Sequence, residues 1–124
     1  MHISLSSVII DAAEPEAESA FWHRLLGGSV TRTPTHHFIQ APGSGVPVLV
    51  IQAAPGHVAP GWPDGAPQQM HLDFAVDELA TADRLATGAG ATRLRPTGDV
   101  PQDAQQTSRV YASPAGHPFC LRPA

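Results

Sequence analysis

Cysteine occurs once in the 124 residues, as Cys120, which excludes an intramolecular disulfide and a thiolate-rich zinc site built by one chain. Positive charge is also scarce, with seven Lys+Arg against eleven Asp+Glu and a formal net charge of −4. No basic run exists to neutralise phosphates or hold an anionic bilayer, so neither nucleic acid nor membrane is expected as a partner. No apolar stretch approaches the ~20 residues that span a bilayer, and the opening MHISLSSVIIDAAEPE has no basic leader or cleavage site. A soluble cytoplasmic protein is expected. At 42% hydrophobic and 15% charged, the chain has material for one core and too little for two independent ones.

Thirteen prolines and eleven glycines are present, and they punctuate apolar segments instead of forming a low-complexity tract. Ile3 to Ile10 is rich in β-branched residues and predicts a strand ended by Asp11-Ala12-Ala13. Glu14-Pro15-Glu16 then supplies acids and a proline where a helix begins. Ala17, Phe21 and Leu25, with Ala20 and Leu26, give that helix its apolar stripe, and Gly27-Gly28 stops it. Strands are expected at Ser29 to Arg32, His37 to Gln40 and Pro47 to Gln52. APGHVAPGWPDGAPQQ, residues 54–69, has no period and reads as a long exposed connection.

After it the order repeats. His71 to Val76 predicts a strand, and Asp77 to Thr87 a helix with Leu79, Ala82, Leu85 and Ala86 inward, stopped by Gly88 and Gly90. Ala91 to Arg95, Ser108 to Ala112 and Phe119 to Arg122 follow as strands. The helix end, glycines and strand of LLGGSVTRTPT echo in ATGAGATRLRPT. A duplicated βαβββ unit is expected: module 1 over about 1–53, a linker over about 54–69 and module 2 over about 70–124, together making one α+β domain.

Three stretches, EPEAESAFWHRLLGG (14–28), MHLDFAVDE (70–78) and SPAGHPFCLRP (113–123), resemble the vicinal oxygen chelate superfamily, and within it the glyoxalase/bleomycin-resistance-like proteins. The first is similar to the family's helix after strand one. The last is similar to its Asp-Pro-x-Gly-Asn/His turn, with Ser113 where aspartate is usual. The resemblance covers nearly the whole chain. It implies two tandem βαβββ modules forming a curved mixed sheet around a cavity, and homodimers, which are common in the family.

Metal-using members of that family carry four ligands, one on the first and one on the last strand of each module, and the ion polarises two adjacent substrate oxygens. The resemblance puts Ser7, Gln52, His71 and Cys120 at those places, with Leu49 as the alternative to Gln52. A serine hydroxyl and a glutamine amide hold divalent cations poorly, and a cysteine must first lose its proton. The resemblance therefore implies a degenerate site with no resident cofactor, a bound divalent metal being the alternative. Cys120 also stands where metal users carry the glutamate that removes a substrate proton, so glyoxalase chemistry proper is not expected.

What remains is a cavity with a polar floor. Alternation along MHLDFAVDE puts Leu72, Phe74 and Val76 under helices and His71, Asp73 and Ala75 on the concave side, while Cys120 and Arg122 share a face of the last strand. Two readings of His71 stand: a hydrogen-bond partner or general base near neutrality, or a histidine bonded to Asp73 or backbone that only shapes the wall. Trp62 is a lid over a flat ligand or a packed loop aromatic. Cys120 is a small buried hydrophobe, or a reactive thiol needing the cation of Arg122. His36-His37 can send at most one ring into the cavity, with His36 expected outside, and His117 is expected to serve its turn. His57 belongs to the connection, and Trp22 is expected at a module or subunit seam.

Three functions follow. The first is binding or sequestering a small hydrophobic or aromatic molecule, with Ser7, Trp62, Gln52, His71, Asp73, Cys120 and Arg122 lining the site. The second is a metal-dependent lyase, isomerase or dioxygenase-like enzyme using His71. The third is an interaction module with a vestigial cavity.

Overall fold

A computed structural model describes residues 1–101 and 108–124. The chain divides into two compact units, Met1–Val58 and Ala59–Ala124. The first contains β1 (Val8–Ala12), α1 (Pro15–Leu26), β2 (Ser29–Arg32), β3 (His36–Gln40) and β4 (Leu49–Ala53). The second contains β5 (Leu72–Val76), α2 (Leu79–Ala89), β6 (Thr92–Arg95), β7 (Arg109–Ala112) and β8 (Pro118–Pro123). Each forms a four-stranded mixed sheet, β1-β4-β3-β2 and β5-β8-β7-β6, in which the first and last strands pair parallel and the others antiparallel. These are the two α+β modules that the repeated order predicts.

In the first unit the strand boundary differs from expectation. Residues 3–7 lie outside any strand, because β1 finds its partner only from Val8, which pairs with Leu49, and it continues through Asp11 and Ala12 opposite Gln52 and Ala53. Ile3 and Leu5 are accordingly 80% and 65% exposed. Pro15 opens α1, Glu16 and Glu18 occupy its first turn, and the Gly27 amide donates to the His23 carbonyl at its end.

The buried face of α1 is Glu18, Ser19, Phe21 and Trp22, whereas Ala17 and Ala20 are exposed. The apolar stripe read from the sequence is displaced because two inward positions are polar. Both are satisfied locally: the Trp22 indole Nε1 donates to Glu18 Oε2 at 2.8 Å, and Ser19 Oγ meets His37 Nδ1 at 2.7 Å. Trp22 is fully buried and meets Phe21 edge to face.

The same substitution of polar for apolar occurs on α2. Its buried positions are Leu79, Ala80, Asp83 and Ala86, while Leu85, expected inward, is 44% exposed. The helix begins at Leu79 instead of Asp77, since Glu78 is still extended and its carboxylate accepts from the Thr81 hydroxyl. Asp83 is inward because the sheet below supplies its partners. Arg93 of β6 binds it through two nitrogens at 3.0 and 2.6 Å, and the Tyr111 hydroxyl of β7 donates at 2.7 Å. The paired guanidinium holds the Asp83 carboxyl below the usual range, against the opposing effect of burial. Burial, then the Asp83 bond, pushes the Tyr111 phenol up. Tyr111 stacks on Phe119, and Leu121 completes the buried layer.

The SPAGH turn before β8 shows why serine can stand where the related pattern has aspartate. Ser113 Oγ accepts from the His117 amide at 3.1 Å, as a carboxylate oxygen would, and the Ser113 amide donates to the His117 carbonyl. Gly116 has φ +89, and a Cβ there would stand 2.8 Å from the Ala59 Cβ. His117 is buried in this turn, a structural place as expected.

Candidate functional site

The parallel pairings place the four ligand positions by register. Val8 opposes Leu49 as Leu72 opposes Phe119, so Ser7 corresponds to His71, and Val50, opposite Ile9, corresponds to Cys120, opposite Asp73. Gln52 lies two residues beyond that place, opposite Asp11 and His36, and Leu49 shares the other face of β4 with Ile51, all of Leu49, Val50 and Ile51 being buried. The donors at the four register places are thus a hydroxyl, an imidazole and a thiol, with a valine side chain at the fourth. No group of three or more His, Cys, Asp or Glu side chains is placed to hold an ion among the described residues.

In the second unit the polar groups converge. Leu72, Phe74 and Val76 of β5 are half-buried on the side of Phe119 and Leu121, while Asp73 and Ala75 on the opposite side are exposed. His71 precedes β5 by one residue and falls on the Asp73 side, away from α2. Its Nε2 lies 3.0 Å from Cys120 Sγ, and its Nδ1 lies 2.8 Å from Gln68 Oε1. Trp62 stands edge-on to the imidazole, with ring centroids 5.6 Å apart and an interplanar angle of 88°. Asp73 pairs with Arg122 Nε at 3.2 Å. Five of the seven sequence-predicted site residues, Trp62, His71, Asp73, Cys120 and Arg122, therefore belong to one face of this unit, and Ser7 and Gln52 to the first unit.

Electrostatics assigns the members different states. Burial, and then the Asp73 carboxylate, push the Cys120 thiol up, and a hydrogen bond from Ser108 opposes them. The cation expected to activate the thiol is engaged elsewhere, since Arg122 is paired with Asp73. The site is thus a neutral thiol against an imidazole whose other nitrogen is fixed by an amide. A Gln68 oxygen at Nδ1 accepts the Nδ1–H, and this tautomer leaves the Nε2 lone pair facing the S–H.

Gln68 escaped the sequence reading. It lies in the aperiodic connection, and no pattern marks it; its one signal is a position three residues before His71. Other histidines are placed as follows. His36 sits on the same rung as Gln52, half-buried, stacked on Phe38 and bonded to the Thr35 hydroxyl. His37 faces α1, where Ser19, His37 and Glu16 form a serine–histidine–carboxylate chain of 2.7 and 3.8 Å. Ser19 has no exposed surface, so no substrate reaches that hydroxyl. His57 stays half-buried in the connection, its amide bonded to the Ala54 carbonyl. A depression of about 490 Å³ among Gln40, Pro42, Gly43 and Val46 presents no titratable side chain.

The family profile described as a glyoxalase-like domain matches residues 7–122. Comparison with curated protein sequences gives no match. Among solved structures, a glyoxalase/bleomycin resistance protein/dioxygenase family enzyme from Burkholderia phytofirmans PsJN is similar at 19% identity and TM-score 0.69, with 98% of each chain covered. The fosfomycin resistance protein FosX of Listeria monocytogenes is similar at 14% identity and TM-score 0.71, over 100% of this chain and 93% of that one. A variant of FosX, solved with Mn(II) and 1S,2S-dihydroxypropylphosphonic acid, is similar at 12% identity and TM-score 0.66, over 98% and 90% of the two chains. At these identities the likeness is one of fold.

Proposed function

The chain belongs to the glyoxalase-like domain family, a member of the vicinal oxygen chelate fold, and from that premise we propose that it binds a small hydrophobic or aromatic molecule without a metal. The observation that carries this reading is the engagement of both His71 nitrogens, one by Gln68 and one by Cys120, beside the half-buried Trp62. A ring so occupied has no lone pair left for an ion unless the thiol deprotonates, and the register partners in the first unit contribute a hydroxyl and a valine. This donor set does not fit a resident first-row ion, which ordinarily takes three or more nitrogen, oxygen or sulfur ligands. Trp62 supplies a flat apolar surface, and Asp73, Cys120 and Arg122 supply polar contacts that orient a ligand.

Metal analysis and thermal shift test this reading on protein purified without a histidine tag. The expected result is substoichiometric Mn, Fe, Ni and Zn, no rise in Tm on adding any of them, and a rise with small aromatic ligands that is lost in Trp62→Ala. Stoichiometric metal that disappears in His71→Ala would establish the metal-dependent enzyme instead. A flat response to a broad set of small aromatics and aliphatics would leave the interaction module. The reading has the protein acting in the cytoplasm as a homodimer, and sedimentation gives the mass that decides the assembly.

A further inference from the structure

We propose that Cys120 is a nucleophile that captures small, uncharged α,β-unsaturated carbonyl compounds, with His71 as its base and Gln68 as the residue that positions the base. The inference rests on the small-molecule reading above and names the class of ligand. Its basis is a chain of three side chains from three segments. Gln68 lies in the connection, His71 just ahead of β5 and Cys120 in β8, joined at 2.8 and 3.0 Å. Nucleophile, base and orienting group in line is the arrangement by which enzymes activate weak nucleophiles.

The surroundings select the reaction. Arg122 is held by Asp73, so among the described residues no free cation beside Cys120 stabilises a standing thiolate. Sulfur can then attack only as its proton leaves, and His71 Nε2 is the acceptor in contact with it. In the step, the S–H bond breaks and the proton passes to Nε2. The sulfur pair forms an S–C bond to the β-carbon, and the C=C pair moves to the carbonyl oxygen as an enolate. The imidazolium then returns its proton to the α-carbon. The net change is addition of the thiol across the double bond, with no oxidant, reductant or leaving group. Acyl transfer would demand a second displacement with departure of a leaving group, which conjugate addition does not. The Asp73 carboxylate across from Cys120 disfavours anionic ligands. Cys120 is 9% exposed, so the electrophilic carbon must be slender, and the Trp62 ring offers a surface for a conjugated plane.

The probe is 1-phenylprop-2-en-1-one, whose β-carbon carries no substituent, with its saturated analogue 1-phenylpropan-1-one as the non-reacting control. The chain has no lysine, so intact mass and peptide mapping read Cys120 against a background of histidines and the α-amino group. Wild type is expected to gain a single adduct on Cys120, and Cys120→Ser none. His71→Ala should slow the reaction about 100-fold, the lower range for loss of a general base. Gln68→Ala should slow it about tenfold, with Gln68→Glu restoring the rate because a carboxylate accepts the same Nδ1–H. If His71 merely packs over the sulfur, His71→Ala uncovers the thiol and the reaction accelerates; that result, or adducts on histidines in place of Cys120, overturns the proposal. Should His71→Ala fail to fold, the Gln68 pair decides alone: equal rates in wild type, Gln68→Ala and Gln68→Glu overturn it. Quenching of Trp62 fluorescence by the saturated ketone, absent in Trp62→Phe, reports binding separately. Quenching without an adduct refutes the nucleophile and leaves the binding function standing. A His71-dependent adduct without quenching supports the nucleophile and refutes reversible sequestration.

Discussion

Removing the Asp83 carboxylate is the sharpest test of how the second unit is held together. Asp83 is 2% exposed and receives two hydrogen bonds from Arg93 and one from Tyr111. In Asp83→Ala the Tyr111 hydroxyl is stranded without this partner, at about 2 kcal/mol for a buried polar group left unmatched. The charged bonds from Arg93 add about 2 kcal/mol, at the low end because that guanidinium is 24% exposed and keeps Asp99 at 3.1 Å. Asp83→Ala should therefore cost about 4 kcal/mol. Tyr111→Phe should cost about 1.5 kcal/mol, since only one bond to a charged group is lost. Asp83→Ala placed in the Tyr111→Phe background then costs about 2 kcal/mol, the Arg93 part alone, a coupling of about 2 kcal/mol. Urea unfolding at pH 7, followed by Trp62 fluorescence and far-ultraviolet dichroism, measures all four corners. A cost for Asp83→Ala below about 1 kcal/mol, or additive singles, would refute the shared carboxylate.

The same carboxylate sets an acid dependence. Because its folded pKa is depressed, Asp83 contributes stability that is full above the ordinary aspartate value near ~3.9 and lost as pH falls through the folded value; Asp83→Asn should show a flatter fall in unfolding free energy below about pH 5. Tyr111 runs the other way: its raised pKa means stability present below about pH 10 and lost as pH climbs through the folded value, so Tyr111→Phe should resist alkaline unfolding better than its neutral-pH loss suggests. Gly116→Ala meets both a left-handed backbone and the Ala59 methyl, and should lose about 2 to 3 kcal/mol by urea titration. Trp22→Phe removes an indole donor from the buried Glu18 carboxylate and should lose about 2 kcal/mol in the same titration.

Repetition made the architecture legible. The two helix ends, each closed by glycine and followed by a strand, recur at the spacing that two modules require, and the sheets pair as that order implies. Alternation along MHLDFAVDE likewise placed His71 and Asp73 opposite Leu72 and Phe74. Helix faces were harder to read, for a specific reason. Glu18, Ser19 and Asp83 occupy inward positions, and an apolar stripe cannot mark a position whose burial depends on a partner elsewhere in the chain. For Ser19 and Asp83 those partners are His37, Arg93 and Tyr111, which no local pattern announces, whereas Glu18 is matched by Trp22 one turn along the same helix. Gln68 was hidden similarly: only the placement of the connection beside β5 gives an amide three residues from a histidine a defined role.

The two units divide their polar residues by face, and that division bears on function. On the helix side of β6 and β7, Asp83 is matched by Arg93 and Tyr111, and Arg109 reaches the Pro96 and Gly98 carbonyls through Nη2, while its buried Nε has no partner among the described residues. The Asp83 set fixes one packing of α2 on the sheet. The opposite side of the second unit carries a different arrangement, since Cys120 and His71 contact each other while one is acid and the other base, and their hydrogen bond can pass a proton without moving a backbone atom. At the equivalent register the first unit has Ser7 and Val50, which cannot make that contact. Among the described residues, the duplicated frame thus brings a thiol and an imidazole into contact at matched places of the second unit, where the first unit has Val50 and Ser7. Replacing Cys120 by valine, the residue at the matched place, should accordingly preserve the sheet, because a β-branched apolar side chain suits a strand position, while abolishing adduct formation. Unchanged urea midpoints together with a lost adduct by intact mass would locate the chemistry in the thiol; a retained adduct would place it in another residue.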